Sequence, residues 1–116
     1  MQRYMLKSKI HRAVLTGTDL AYEGSITIDP ILLEASNILP NEQVHVLNLN
    51  NGTRIITYAI EGKRDSGTIL LNGPAARNGQ TGDIVVILTY ANFDEKEIVT
   101  HKPIIVKVDK RNKIIE

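Results

Sequence analysis

Val44-His45-Val46-Leu47-Asn48-Leu49-Asn50-Asn51-Gly52-Thr53-Arg54-Ile55-Ile56-Thr57-Tyr58-Ala59-Ile60 reads as two strands joined by a turn. Residues 44–49 and 53–60 are rich in β-branched and other apolar side chains, which suit a pleated, half-buried surface. Between them Asn50-Asn51-Gly52 tolerates the positive φ that hairpin turns require. Working outward, the same pattern of short β-branched runs between Gly, Asn and Asp recurs along the chain, as in an all-β barrel or sandwich.

Residues 4–16 form the first expected strand, with imperfect alternation that sets Lys9 and His11 on one face. A brief strand follows Ser25. Asp29 then caps a short helix, Pro30 fits its first turn, and Asn37 ends it. Strands are expected at residues 68–71, 84–90 and 103–108, and the continuous apolar run of 84–90 implies burial on both faces. Residues 72–76 read as a turn that opens a helical stub. Residues 94–99 read as a surface helix with an acidic start, and 109–113 as a solvated turn.

The 116 residues suit one domain, expected to span 1–116, with enough chain for a core that needs no covalent staples. The absence of cysteine removes disulfides, thiolate nucleophiles and Cys-based metal sites, and fits a reducing, cytoplasmic setting. Charged residues spaced through residues 1–20 leave no signal-like apolar run, and no stretch is long enough to span a membrane. A net charge of +1, with one Phe, four Tyr and no Trp, offers neither a basic face nor a stacking platform for nucleic acid. His45 and His101 lack metal-like spacing, so no metal is expected.

The chemistry concentrates at Tyr22-Glu23-Gly24-Ser25. Glycine takes backbone angles closed to other residues, so the Gly24 carbonyl can be turned toward the Ser25 hydroxyl. Attack by that hydroxyl would convert the amide to an ester. Elimination and hydrolysis would then leave residue 25 as a pyruvoyl ketone. Taken alone, a Gly-Ser pair is usually only a turn.

The constellation carries more than the pair. Met5-Leu6-Lys7-Ser8-Lys9-Ile10-His11-Arg12, Tyr22 through Asp29, Asn51-Gly52-Thr53-Arg54 with Thr57-Tyr58, Asn72-Gly73-Pro74-Ala75-Ala76 and Gly82-Asp83-Ile84-Val85 stand in the order and spacing of one family. The chain resembles the pyruvoyl-dependent aspartate 1-decarboxylases. That resemblance implies a mainly β fold, a six-stranded double-psi β-barrel with short peripheral helices. It also implies a homotetramer with active sites between subunits, self-cleavage between Gly24 and Ser25, and conversion of L-aspartate to β-alanine for pantothenate and coenzyme A synthesis. Two positions depart from the family pattern: Pro74 stands where Ala is frequent, removing an amide donor, and Leu47 where some members carry an aromatic.

Carried over by resemblance, Ser25 becomes the pyruvoyl group, which accepts the substrate amine as a Schiff base and needs no metal. Tyr58 is the proton donor, and Thr57 binds substrate and assists processing. Lys9 and Arg54 contact carboxylate, and Gly73, Pro74 and Ala75 line the pocket, with Ala75 the better amide donor. His11, Tyr22 and Asn72 support the site, although His11 reads equally well as a buried hydrogen-bonded residue.

An electron sink beside the α-carbon, an Arg fork for carboxylate and a phenol for reprotonation are what loss of carbon dioxide calls for. Strand parity puts Arg54 and Tyr58 on one face and Thr57 on the other. A bulge or, preferably, an intersubunit site would reconcile them. The rival readings are a non-catalytic β-barrel module with an intact chain and a hydrolase using Ser25 as an ordinary nucleophile. The hydrolase lacks a nucleophile elbow and a His partner at readable spacing.

Overall fold

The computed structural model describes residues 1–115. Its strands are β1 (Arg3–Val14), β2 (Gly17–Asp19), β3 (Ile26–Ile28), β4 (Gln43–Asn48), β5 (Arg54–Glu61), β6 (Ile69–Asn72), β7 (Ile84–Phe93) and β8 (Ile104–Lys107). They form one eight-stranded mixed sheet in the order β2-β6-β3-β5-β4-β7-β1-β8. Two short helices, α1 (Pro30–Ser36) and α2 (Glu95–Thr100), and a 3-10 helix over Gly73–Asn78 complete the chain.

The β-rich class and the short helices are those expected from the sequence. The eight strands include β2, which the sequence does not announce because its Gly17-Thr18-Asp19 carries no apolar alternation. It is recruited only by parallel pairing with β6, Gly17↔Leu70 through Asp19↔Asn72.

The β4–β5 hairpin forms in continuous antiparallel register from Gln43↔Tyr58 to Leu47↔Arg54. Only Gly52 in its turn takes a positive φ, +74°, with its N–H donating to the Asn48 carbonyl at 2.9 Å. The Asn48 side chain accepts from Asn50 N at 2.8 Å, so the asparagines serve as local hydrogen-bonding caps. β7 lies between β1 and β4, and Val85 through Thr89 are all buried, as a continuous apolar run requires. Ile10, Val44, Val85 and Ile87 join Ile26, Ile28, Leu32 and Leu71 in one core. Each such large side chain contributes about 1.5–3 kcal/mol by burial.

Near the carboxyl end, residues 109–113 are more than the solvated turn expected. Asn112 is buried, accepts from Val14 N at 2.7 Å and donates to the carbonyls of Val14 and Gly67, each at 2.8 Å. It satisfies backbone groups where β1 ends, which hydrophobic patterning does not register.

Asp29 performs the capping role read from the sequence and adds another. One carboxylate oxygen accepts from Ile31 N and Asp65 N, both at 3.0 Å, and the other from Gly67 N at 2.9 Å. Burial pushes its pKa up, but the amides of Gly67, Ile31 and Asp65 and the charge of Lys113 outweigh that and hold it below the ordinary value. A depressed native pKa adds stability above the unfolded aspartate range near pH 4, and that contribution disappears as pH falls through the native value. In Asp29→Asn an NH2 group faces the Gly67 amide, at a cost of about 2 kcal/mol at pH 7. Urea unfolding should show that loss, and a smaller stability drop between pH 5 and pH 3 than in the parent; equal acid limbs would contradict this role.

Candidate active site

β3 pairs with β5 only from Ile26↔Ala59 to Ile28↔Glu61. Among the described residues, 55–58 of β5 therefore have β4 along one side and no strand along the other. Gly24 and Ser25 stand just before β3, at the end where that pairing stops. A cleft of about 440 Å³ opens there, lined by Glu23, Gly24, Ser25, Ile55, Ile56, Thr57, Tyr58, Pro74, Ala75 and Asn78. Because it straddles a strand edge, neighbours of opposite parity reach it together. The unbroken β4–β5 register excludes a bulge within that pairing as the reason.

Ser25 is 2% exposed and takes φ +94°, directly after Gly24 at φ +139°. A non-glycine residue at such an angle stores on the order of 1–3 kcal/mol, and such conformations concentrate at functional sites. Asn72 holds it on two sides. The Asn72 backbone N–H donates to the Ser25 carbonyl and the Asn72 side-chain Nδ2 donates to Ser25 Oγ, each at 3.0 Å. The same Nδ2 donates to Thr27 Oγ1 at 2.7 Å, while Oδ1 of this fully buried side chain has no partner among the described residues.

Gly73, at φ +58°, lets residues 22–24 lie directly on the backbone after β6. A Cβ there would stand 2.6 Å from Gly24 N and closer still to the Tyr22 carbonyl oxygen. The Tyr22 ring itself is exposed. Pro74 and Ala75 enter the cleft from the first turn of the 3-10 helix, and Pro74 brings no N–H.

Lys9, His11 and Arg54 lie outside this cleft. Lys9 sits on β1, opposite Leu88 and Ile105, three strands away from β5 or roughly 14 Å at ordinary strand spacing. Arg54 starts β5, four residues before Tyr58, and is exposed. His11 lines a separate cleft of about 480 Å³ with Arg12, Lys107, Asp109 and Lys110. Burial first, then the charges of Lys9, Arg12 and Lys107, push its pKa below the ordinary imidazole value.

The sequence reading missed Ile55, Ile56 and Asn78 as lining residues, and Thr27 as the second acceptor for Asn72. The only signal for Thr27 was its polarity inside Ile26-Thr27-Ile28, where all three residues are buried. Among the described residues no group of three or more His, Asp or Glu is placed to hold a metal, and no helix is long and apolar enough to cross a membrane.

Fold and site together define a small β-rich protein with a strained, buried serine at the mouth of a strand-edge cleft. The family model described as "Aspartate decarboxylase" matches residues 1–115. The aspartate 1-decarboxylase of Thermoanaerobacter pseudethanolicus is 58% identical over 113 residues, covering 97% of each chain. That of Pelotomaculum thermopropionicum is 59% identical over 112 residues, 97% of this chain and 85% of the relative. That of Paraburkholderia phymatum is 57% identical over 115 residues, 98% and 90%. The chain belongs to the aspartate decarboxylase family.

Gly73→Ala tests the packing that places residues 22–24. The added methyl should lift that segment and destabilise the fold by about 1–3 kcal/mol. Amide hydrogen exchange should quicken at residues 22–25, and unchanged protection there would contradict the packing.

Proposed function

We infer that the chain decarboxylates L-aspartate to β-alanine and carbon dioxide through a Schiff base on a pyruvoyl group made from Ser25, supplying β-alanine to pantothenate and coenzyme A synthesis. The observation that carries the reading is the Ser25 hydroxyl, buried at positive φ after Gly24 and gripped by Asn72, in a chain matched to the family over residues 1–115. Ser25 Oγ attacks the Gly24 carbonyl carbon. As the C–N bond breaks, the hydroxyl proton passes to the Ser25 nitrogen, leaving an ester and a free amine. Loss of the Cα proton and departure of the Gly24 carboxylate from Cβ give a dehydroalanine. Water then replaces its nitrogen, released as ammonia, and the ketone heads residues 25–116.

That ketone supplies the electron sink when carbon dioxide leaves the substrate. The protein's own residues do the rest. Thr57, which lines the cleft with Gly24, assists cleavage and then contacts substrate. The Tyr58 hydroxyl delivers a proton to the former α-carbon, a general-acid role that contributes roughly 10²–10⁴ in rate. The guanidinium of Arg54 forms paired hydrogen bonds with one carboxylate and Lys9 adds a point charge, so a substrate with two carboxylates is preferred. The Ala75 N–H donates to substrate where Pro74 has none.

Lys9, Arg54 and His11 lie outside the cleft of their own chain, and Ile56 and Tyr58 beside it are 59% and 41% exposed. Both facts support a homotetramer in which neighbouring subunits complete each site. The fold on this reading is one domain, 1–116, whose central strands close as a six-stranded double-psi β-barrel. A cytoplasmic location completes it.

Carbon dioxide release from labelled aspartate tests the assignment. Ser25→Ala should give none, and β-alanine formation by that variant would refute the role of Ser25. Tyr58→Phe should still cleave and still bind aspartate, with kcat about 10²-fold or more lower; an undiminished kcat would remove Tyr58 as donor.

A further inference from the structure

Thr27 lies on β3, two residues after the bond assigned to self-cleavage, opposite Leu70 of β6 and Ile60 of β5. It is a buried threonine among isoleucines, and its hydroxyl takes the shortest hydrogen bond that the Asn72 side chain makes. The Asn72 Nδ2 has two hydrogens, and both are used: one on Ser25 Oγ at 3.0 Å, one on Thr27 Oγ1 at 2.7 Å. Oδ1, at the other end of the carboxamide, is buried and has no partner among the described residues. The carboxamide is therefore oriented by its two N–H bonds alone, and the one to Ser25 is the longer.

The Thr27 hydroxyl is itself aimed by packing. A Cβ on Gly62 would stand 2.8 Å from Thr27 Cγ2, so the missing side chain of Gly62 makes the space that the Thr27 methyl fills. The Thr68 methyl closes the same space, 3.4 Å from that position. Threonine has few χ1 choices, and a seated methyl fixes the direction of its oxygen.

We propose that Thr27 is a positioning residue for self-cleavage at Gly24–Ser25: held by the space at Gly62, its hydroxyl anchors the Asn72 carboxamide, which in turn holds Ser25 Oγ in place for attack on the Gly24 carbonyl. This rests on the pyruvoyl reading above and adds to it the residue that orients the nucleophile's partner. Removing the hydroxyl leaves a buried N–H without an acceptor, and the carboxamide then has only one contact to keep it facing Ser25. Thr27 is not among the residues that line the cleft, and its hydroxyl bonds to Asn72, so it acts through Asn72.

The test is the rate of cleavage of freshly synthesised full-length chain, followed by intact mass, with urea unfolding of each variant measured alongside. Thr27→Val, nearly equal in shape but without the hydroxyl, should cleave about tenfold more slowly than the parent. Thr27→Ser restores the hydroxyl without the methyl that aims it, so it should cleave faster than Thr27→Val and more slowly than the parent, whatever its unfolding midpoint. Gly62→Ala leaves both hydroxyls in place but drives the Thr27 methyl from its seat, and it too should cleave slowly. Parent-like cleavage in Thr27→Val would overturn the proposal, as would a Thr27→Ser variant no faster than Thr27→Val, which would trace the effect to packing. A parent-like rate in Gly62→Ala would break the link from Gly62 to the hydroxyl. A parent chain that never cleaves would instead refute the pyruvoyl reading itself, and this proposal with it.

Discussion

The buried carboxamide of Asn72 joins the chain's architecture to its chemistry. Asn72 closes β6, and its backbone N–H donates to the Ser25 carbonyl while its side chain bridges the hydroxyls of Ser25 and Thr27. A side chain with 0% exposure whose Oδ1 has no partner among the described residues is costly to bury, by about 1–3 kcal/mol for an unsatisfied polar group. Together with the positive φ of Ser25, it is local strain that the surrounding sheet must offset. The apolar contacts of Ile26, Ile28, Ile69 and Leu71, all buried on the two strands that meet here, provide that support.

The second constraint is where β3 begins. Had β3 paired with β5 along its whole length, residues 55–58 would be sealed in a ladder, and no cleft would exist beside Ser25. Positive φ at Gly24 and Ser25 keeps the upstream chain from entering the parallel register, and Gly73 accepts that chain on its bare Cα. An open strand edge is ordinarily a liability for a sheet, because its N–H and C=O groups invite pairing. Here the edge becomes a concave surface lined by Thr57 and Tyr58 together with Gly24 and Ser25.

Much of this was legible in advance, and the reasons differ by element. Asp29-Pro30 and Asn37 marked α1 because capping is local chemistry: Asp29 accepts from Ile31 N, and Asn37 takes φ +56°. The apolar run from residue 84 revealed a strand buried on both faces for an equally local reason. Ser25, Thr57, Tyr58, Pro74 and Ala75 were named through a resemblance of ordered motifs, and they meet in one cleft. The tension between Thr57 and Tyr58 was set up by assuming that a strand offers only faces; the free edge of β5 removes it. Asn112 and Thr27 were passed over because each is a polar residue whose worth lies in partners that pairing brings from a distance, Val14 and Gly67 for one and Asn72 for the other. Nor does composition reveal that Lys9 falls outside its own chain's cleft, since strand order sets it three strands from β5.

The central claim is that residue 25 ends as a ketone that accepts the amine of aspartate. Incubation of purified protein with L-aspartate and cyanoborohydride, followed by mass spectrometry of the separated polypeptides, tests it most directly. The account predicts a fragment of residues 25–116 with the mass of a reduced amine adduct at its first residue, and an unmodified fragment of residues 1–24. A single continuous polypeptide that gains no mass under the same treatment would contradict it.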